Sequence, residues 1–358
     1  MKNLLRNSFL GFLVISAMVG CRKDTPVVEE ANETDSTTVV NNCQDLPPEP
    51  GIGYQYLVDG PQYLAPCFNP NNSNEFVYLR TGTASVAELI KYDLLSHTEM
   101  VLCNSVNIST PPQWGRQGWI TFSTTQKKVW KVYEDGSQLT QLTQGISDSY
   151  PCFNYNGNKI FYNRGINYTY TTLQQNPELY KEHKMIIVDL DGNVLDSIMI
   201  EHQNSDYTGI FGYQTWTVAA LDIDGVYFFG GMVETNTYGI HKLSFQDSII
   251  TPVVILSDPG IDGSHLLGLD QKANTVYYTR QWDGIYKYDL QNSTNTKMKL
   301  GCGSKYYQTI SISNDGIKLL VERINRTPLE NGYEVDEQRE IWLIDLTDPG
   351  KEEKILGE

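Results

Sequence analysis

Three observations predict an all-β fold made of six four-stranded antiparallel units. One strand–turn–strand motif occurs six times. A second strand pattern runs in step with it. No window shows a helical apolar period over three turns.

In the first beat, an apolar anchor precedes a short polar turn and then a run rich in Ile, Val, Tyr and Phe. The anchors are Phe68, Trp114, Phe153, Leu221, Leu269 and Ile312. The runs that follow include Phe76-Val77-Tyr78, Ile160-Phe161-Tyr162 and Val276-Tyr277-Tyr278. In the second beat, Leu89–Leu94, Met185–Leu190, Ile285–Leu290 and Ile341–Leu346 all end Asp-Leu, through Asp93, Asp189, Asp289 and Asp345. Val129–Tyr133 and Ile240–Ser244 hold the same place without the aspartate. Short apolar stretches such as Met100–Leu102 and Val253–Leu256 close most copies. Each unit thus reads as four strands of about 5–6 residues. A lone unit cannot bury both faces, whereas a closed ring of six can. The expected architecture is therefore a six-bladed β-propeller. A two-sheet sandwich accommodates six in-phase copies less well. The propeller is expected over residues 51–358, with blades near 60–104, 105–145, 146–202, 210–258, 262–301 and 304–358.

The unit resembles the TolB-type, WD-like propeller repeat: Pro-x-Phe-Ser-Pro-Asp-Gly, then Ile-x-Phe-x-Ser-x-Arg, then Ile-Tyr-x-x-Asp, then Leu-Thr. Copy two, ending Tyr133-Glu134-Asp135-Gly136-Ser137-Gln138-Leu139-Thr140-Gln141-Leu142-Thr143, is close to it. The resemblance covers about residues 60–358. It implies the fold and leaves the function open, since such propellers occur in TolB, in gating domains of oligopeptidases and in surface lipoproteins.

Lys2 and Arg6 precede the apolar run Phe9–Val19, which is too short to span a bilayer comfortably. Gly20-Cys21 follows directly and resembles a bacterial lipobox. This implies a signal peptide over 1–20 and a lipidated Cys21, several acyl chains giving stable anchoring. Residues 21–50 are polar and acidic, without aromatic residues or apolar periodicity, and read as a disordered tether. The implied location is the outer membrane of a Gram-negative bacterium, facing the periplasm or the cell surface. With 27 basic and 43 acidic residues, the net charge of −16 argues against nucleic acid and anionic headgroups as partners. The membrane is expected to be met only through the lipid anchor.

Arg80, Arg164, Arg280 and Arg323 end the second strand in the four copies that carry the aspartates. Antiparallel pairing separates each arginine from its aspartate by about four residues at ~3.3 Å. Direct pairing is therefore not expected, and the aspartates should instead cap the third turn. An anion-binding arginine ring is the rival reading.

Unit lengths are irregular in copy three (about 163–184), in copy six (about 325–339) and in the crossover into blade four (about 201–214). These excursions fall on one face. They are expected to expose Tyr168, Tyr170, Tyr180, Tyr207, Phe211, Tyr213, Tyr306, Tyr307 and Tyr333 as a candidate binding surface.

The chain contains no Gly-x-Ser-x-Gly, no His-Glu-x-x-His and no phosphate-cradling loop. The oligopeptidase relatives need a separate hydrolase domain, for which the repeats leave no room. His97, His183, His202, His241 and His265 are not spaced as ligand pairs. Asp189-Leu190-Asp191-Gly192 and Asp222-Ile223-Asp224-Gly225 lack the third ligand of a calcium loop and read as turns. No catalytic residue, metal or cofactor is expected. Apart from Cys21, five cysteines remain, an odd number, so at least one is free or pairs with another chain. Cys67 and Cys152 repeat in Pro-Cys-Phe-Asn two blades apart and read as small buried fillers. Cys103 and Cys302 are likewise two blades apart. Cys43 could staple the tether to the propeller, with no partner named by the sequence.

The expected function is non-catalytic: a binding or scaffolding propeller of the envelope, docking a protein partner or a glycan on the loop face of blades three, four and six. The rivals are a polysaccharide lyase or hydrolase acting over the central channel, and an envelope-structural component like TolB.

Overall fold

Alternation along single strands explains how the ring is filled. In Phe76-Val77-Tyr78-Leu79 all four side chains are buried. Phe76 and Tyr78 pack with Leu320 and Ile341 on one side. Val77 and Leu79 pack with Trp114 and Ile120 on the other. A strand with apolar neighbours on both faces needs a continuous apolar run, which is why these segments lack polar alternation.

In a computed structural model the chain is described at Leu46 and over 54–357, apart from 83–85, 109, 146, 165–183, 200–217, 223–224, 233–236, 248, 257–265 and 281. β1 (Gln55–Leu57) precedes the blades. Blade one holds β2 (Gln62–Asn69), β3 (Asn72–Thr81), β4 (Val86–Asp93) and β5 (Thr98–Asn107). Blade two holds β6 (Gln113–Trp114), β7 (Trp119–Ser123), β8 (Val129–Tyr133) and β9 (Thr140–Gln141). Blade three holds β10 (Asp148–Phe153), β11 (Lys159–Arg164), β12 (Lys184–Asp189) and β13 (Val194–Met199). Blade four holds β14 (Val218–Asp222), β15 (Gly225–Met232), β16 (Thr237–Ser244) and β17 (Ile250–Leu256). Blade five holds β18 (Leu266–Lys272), β19 (Thr275–Arg280), β20 (Gly284–Asp289) and β21 (Thr294–Leu300). Blade six holds β22 (Lys305–Ile312), β23 (Lys318–Pro328), β24 (Glu334–Asp345) and β25 (Glu352–Leu356). Each blade is a four-stranded antiparallel meander in chain order, with β1 added to the sixth. No helix occurs among the described residues. Six apolar clusters lie one at each blade-to-blade interface. Each fully buried Leu, Ile, Val or Phe contributes about 1.5–3 kcal/mol.

Every anchor lies in the innermost strand of its blade. Five of these strands slip register just before the anchor, between Leu64 and Cys67, Ser149 and Cys152, Ala219 and Leu221, Leu266 and Leu269, and Tyr307 and Ile310. Ala65 and Tyr150 take positive φ of 51° and 52° there. Such bulges turn backbone N–H groups out of the ladder, and the Ala65 N–H is taken up by Glu322 of blade six at 3.0 Å.

Blade six departs from expectation. The stretch 325–339, read as a long loop, is a continuation of β23 and β24, with Asn325 opposite Gln338 and Pro328 opposite Val335. Arg326 and Glu337 face each other across it and pair at 2.9 Å. Opposite charges on facing residues, both largely buried, keep the hairpin zipped. Gly332, at φ 73°, closes its tip. β1 runs parallel to this extension, Gln55 opposite Glu334 and Leu57 opposite Asp336.

Each blade keeps four strands that are consecutive in the chain, and where the ring closes β1, from ahead of blade one, is added to blade six. Blades six and one meet through the Phe68, Phe76, Leu320 and Ile341 cluster. Arg339 N donates to Gln62 Oε1 at 2.8 Å across the seam. The buried Glu322 carboxylate also accepts from Thr309 Oγ1 at 2.6 Å and pairs with Arg339 at 3.3 Å.

Candidate functional site

The sequence-derived candidates separate into three groups. The third-strand aspartates close turns. Asp93 Oδ1 accepts from Leu95 N and Ser96 N, Asp189 Oδ1 from Asp191 N and Asn193 N, Asp289 Oδ1 from Gln291 N and Asn292 N, and Asp345 Oδ1 from Thr347 N. Hydrogen bonds from these turns hold the four carboxyls below the ordinary aspartate range. The arginines pair elsewhere: Arg80 with Glu88 and Glu99, Arg164 with Asp148, Arg280 with Asp283, and Arg323 with Glu340.

The tyrosine surface requires correction. Tyr306 and Tyr307 lie within β22 and are 5% and 1% exposed, because the inner strand of blade six begins before them and turns them into the packing. Tyr333, at the hairpin tip, is 40% exposed. Tyr168, Tyr170, Tyr180, Tyr207, Phe211 and Tyr213 lie outside the described residues, as do His183, His202 and His265. His97 is exposed and bonded to Tyr92 Oη at 3.0 Å. His241 is buried against Phe228 and burial lowers it to about 4. Among the described residues no group of three His, Cys, Asp or Glu could hold a metal ion.

A different site emerges at the other face. A cavity of about 540 Å³ lies where the inner strands end, lined from blades one, two, three, five and six. Hydrogen bonds between neighbouring inner strands build its wall. Ile312 N donates to Asp270 Oδ2 at 2.8 Å, Phe68 N to Ser311 Oγ at 3.0 Å, and Trp114 N to Cys67 Sγ at 3.4 Å. In each case the backbone of one anchor is held by a side chain beside the anchor of the preceding blade. Cys67 is thus a hydrogen-bond acceptor as well as a filler. Burial pushes its thiol up to about 12.

The lining follows the repeat. The second residue after five of the six anchors is Pro70, Arg116, Tyr155, Gln271 or Asn314, and all five line the cavity; the sixth lies outside the described residues. Local packing fixes them. Gly115 leaves room for the Phe153 ring, whose nearest carbon would lie 2.8 Å from a Cβ added there. Gly157, at φ 69°, lets the turn of blade three approach Arg116 N, 2.9 Å from such a Cβ. The Arg116 guanidinium consequently sits 4.3 Å from the Tyr155 ring centroid. It has no carboxylate partner among the described residues. Lys272 lines the same mouth from blade five. Trp114 Nε1, also at the wall, has no acceptor among the described residues. Asp270 is partly exposed to the cavity; burial of its carboxyl pushes it up to about 6, against the Ile312 and Gln271 N–H groups that oppose the shift. Aromatic faces, amides, two cations and a carboxyl able to carry a proton near pH 6 can together hold a polar ligand with an anionic group.

Sequence reasoning placed the candidate surface on the long loops and passed over this ring. The signal was present: the TolB-type consensus has proline at the second position after the anchor, and only blade one keeps it among these five.

No protein-family model and no curated protein matches the chain. Solved structures do. The β-propeller domain of the trilobed protease from Pyrococcus furiosus, described as having an open velcro topology, superposes with a TM-score of 0.53 at 8% identity, over 83% of this chain and 98% of that one. The uncomplexed acylaminoacyl peptidase of Pyrococcus horikoshii gives 0.54 at 9% identity, over 83% of this chain and 52% of that one. The chain therefore corresponds to about half of that enzyme. TolB from Acinetobacter baumannii gives 0.45 at 14% identity, over 76% and 66%. The two Pyrococcus likenesses show a shared propeller fold.

Proposed function

We propose that this chain is a binding propeller of the bacterial envelope, anchored through a lipid on Cys21, that seats the acidic end of a glycan in the channel mouth. One observation carries this reading. Equivalent positions of five blades converge on one cavity, and their side chains differ: Pro70, Arg116, Tyr155, Gln271 and Asn314. A purely structural ring favours repetition, while recognition favours a different group from each blade. The volume lies in the ~300–1,000 Å³ range of small-ligand sites. Tyr155 offers a ring face to a sugar, Gln271 and Asn314 offer amides, and Arg116 and Lys272 offer charge to a carboxylate. The disulfide at Cys302 supports export, since disulfides persist in oxidising compartments.

Calorimetric titration with uronic-acid oligosaccharides, against neutral ones of equal length, tests the reading. Binding of the acidic series, weakened about tenfold or more by Arg116→Ala at unchanged Tm, is the expected result. Equal or absent binding of both series overturns it. A second reading, docking of an envelope protein on the blade-six hairpin, is favoured by the exposed Tyr56 and Tyr333 on that hairpin and its β1 strand. A stoichiometric protein partner lost on Tyr333→Ala would support that reading.

A further inference from the structure

Among the described residues, Asp270 is the one acid that lines the channel mouth. Its structural task does not call for a charge. Asp270 Oδ2 accepts the N–H of Ile312, the anchor of the next blade, at 2.8 Å. The Ser311 hydroxyl does the same for Phe68 N and the Cys67 sulfur for Trp114 N, at 3.0 and 3.4 Å, and both of these acceptors are neutral. The position after the anchor does not call for a free charge either. In three other blades its polar side chain closes the hairpin turn of its own blade. Asn69 Oδ1 accepts from Asn71 N, Asn154 Oδ1 from Asn158 N and Lys159 N, and Ser313 Oγ from Lys318 N. Asp270 bonds only its neighbour Gln271 N in its own blade, at 2.7 Å, and otherwise faces blade six and the cavity.

Asp270 also makes no ion pair among the described residues. Lys272, two residues on, reaches instead to Asn314 Oδ1 of blade six at 3.5 Å. A carboxylate so placed weakens the free protein at neutral pH, since burial opposes its charge and pushes the group up to about 6. It costs stability, it does what a neutral group does in the neighbouring blades, and it looks into a cavity. That combination marks a group retained for a ligand. Across the mouth stands Arg116, in blade two, which lies opposite blade five in a ring of six blades. An ionised Asp270 repels a ligand that is only acidic. A ligand that carries an ammonium as well as a carboxylate satisfies both sides of the mouth.

We propose that the channel mouth binds a zwitterionic glycan end, with an ammonium group seated on Asp270 and a carboxylate on Arg116. The proposal rests on the acidic-glycan reading above and narrows it to a hexuronic acid beside a hexosamine whose amine is free. Asp270 Oδ1 and Oδ2 each accept one backbone N–H, from Gln271 and Ile312, so each keeps a second acceptor site. An ammonium fills such sites with charge-assisted hydrogen bonds, which are stronger than neutral ones. N-acetylation of the same sugar removes the charge and leaves a single N–H beside an acyl group.

Calorimetric titration of the full-length protein at neutral pH tests the proposal. The probes are alternating hexuronic acid–hexosamine oligosaccharides of one length, either N-acetylated or with free amines. The free-amine form is expected to bind about tenfold tighter or more, as one charge-assisted hydrogen bond implies. Asp270→Asn keeps an acceptor for Ile312 N and removes the charge, and is expected to abolish that preference without lowering Tm. Equal affinity of the wild type for both forms overturns the proposal and leaves the acidic reading standing. A preference that survives Asp270→Asn overturns the seat on Asp270. Glucosamine oligomers of the same length, which carry the amine without the acid, are expected to bind about tenfold more weakly than the free-amine uronic form. Equal affinity for them, or no binding of any series, overturns the acidic reading and the zwitterion with it.

Discussion

Arg80, Arg164, Arg280 and Arg323 occupy one place in four blades, yet their surroundings differ. Arg164 makes a two-point contact with Asp148, Nε to Oδ1 at 2.7 Å and Nη2 to Oδ2 at 3.0 Å, and Asp148 is fully buried. Arg80 meets two half-exposed glutamates. Removing Arg164 strands a buried charge, so Arg164→Ala should cost about 3 kcal/mol. Arg80→Ala should cost less than about 1 kcal/mol. Urea unfolding of the two variants side by side checks the difference. Asp270 behaves in the opposite sense to a paired carboxylate. Its folded value near 6 lies above the unfolded value of about 3.9. Below about pH 4 it is protonated in both states and costs nothing. Between 4 and 6 the unfolded chain ionises first, so stability falls as pH rises and stays lowered at neutrality. Asp270→Asn should therefore raise Tm at pH 7.5 and leave it unchanged at pH 4, as measured by calorimetry at both.

Elements show where local pattern suffices and where it does not. The continuous runs of β3, β11 and β19 identified themselves, because a strand buried on both faces carries mainly apolar side chains. The extension of β23 and β24 did not. Asn325–Pro328 and Glu334–Arg339 are polar, and their strand conformation depends on Arg326 meeting Glu337 and on β1 arriving from the other end of the chain. A reading that assigns strands by apolar content assigns loop there. Glu337 holds both Arg326 and Arg339 while itself almost fully buried. Glu337→Ala should cost about 3 kcal/mol. It should also speed amide exchange in β1 and the hairpin tip while β2 and β3 stay protected, which hydrogen exchange resolves strand by strand. The channel mouth was half legible. Trp114 was recognised as an anchor, but Arg116, Tyr155 and Asp270 matter only because five turns converge, and convergence is a property of the closed ring.

At the scale of the whole molecule, the six interfaces are alike in kind and each needs the other five to keep the ring shut. Cys67 and Cys103 lie in the interface of blades one and two, and Cys152 in that of blades three and four. Burial pushes the Cys67 and Cys103 thiols up to about 12 and Cys152 still higher, so none should react with iodoacetamide in the native protein. If the ring opens as one unit, all three should label with the same dependence on denaturant. Mass spectrometry of pulse-labelled peptides reports each separately, and earlier labelling of Cys152 would reveal a ring that opens piecewise.

Because β2 to β5, and each later set of four, follow one another along the chain, the four-stranded meander of every blade corresponds to one uninterrupted stretch of gene. A blade can then be duplicated or lost by a single in-frame event between two crossovers. Only at blade six, which borrows β1 from ahead of blade one, would the same event also have to find a strand a new home. The contiguous blade makes ring size and the order of residues around the mouth separately open to change during descent.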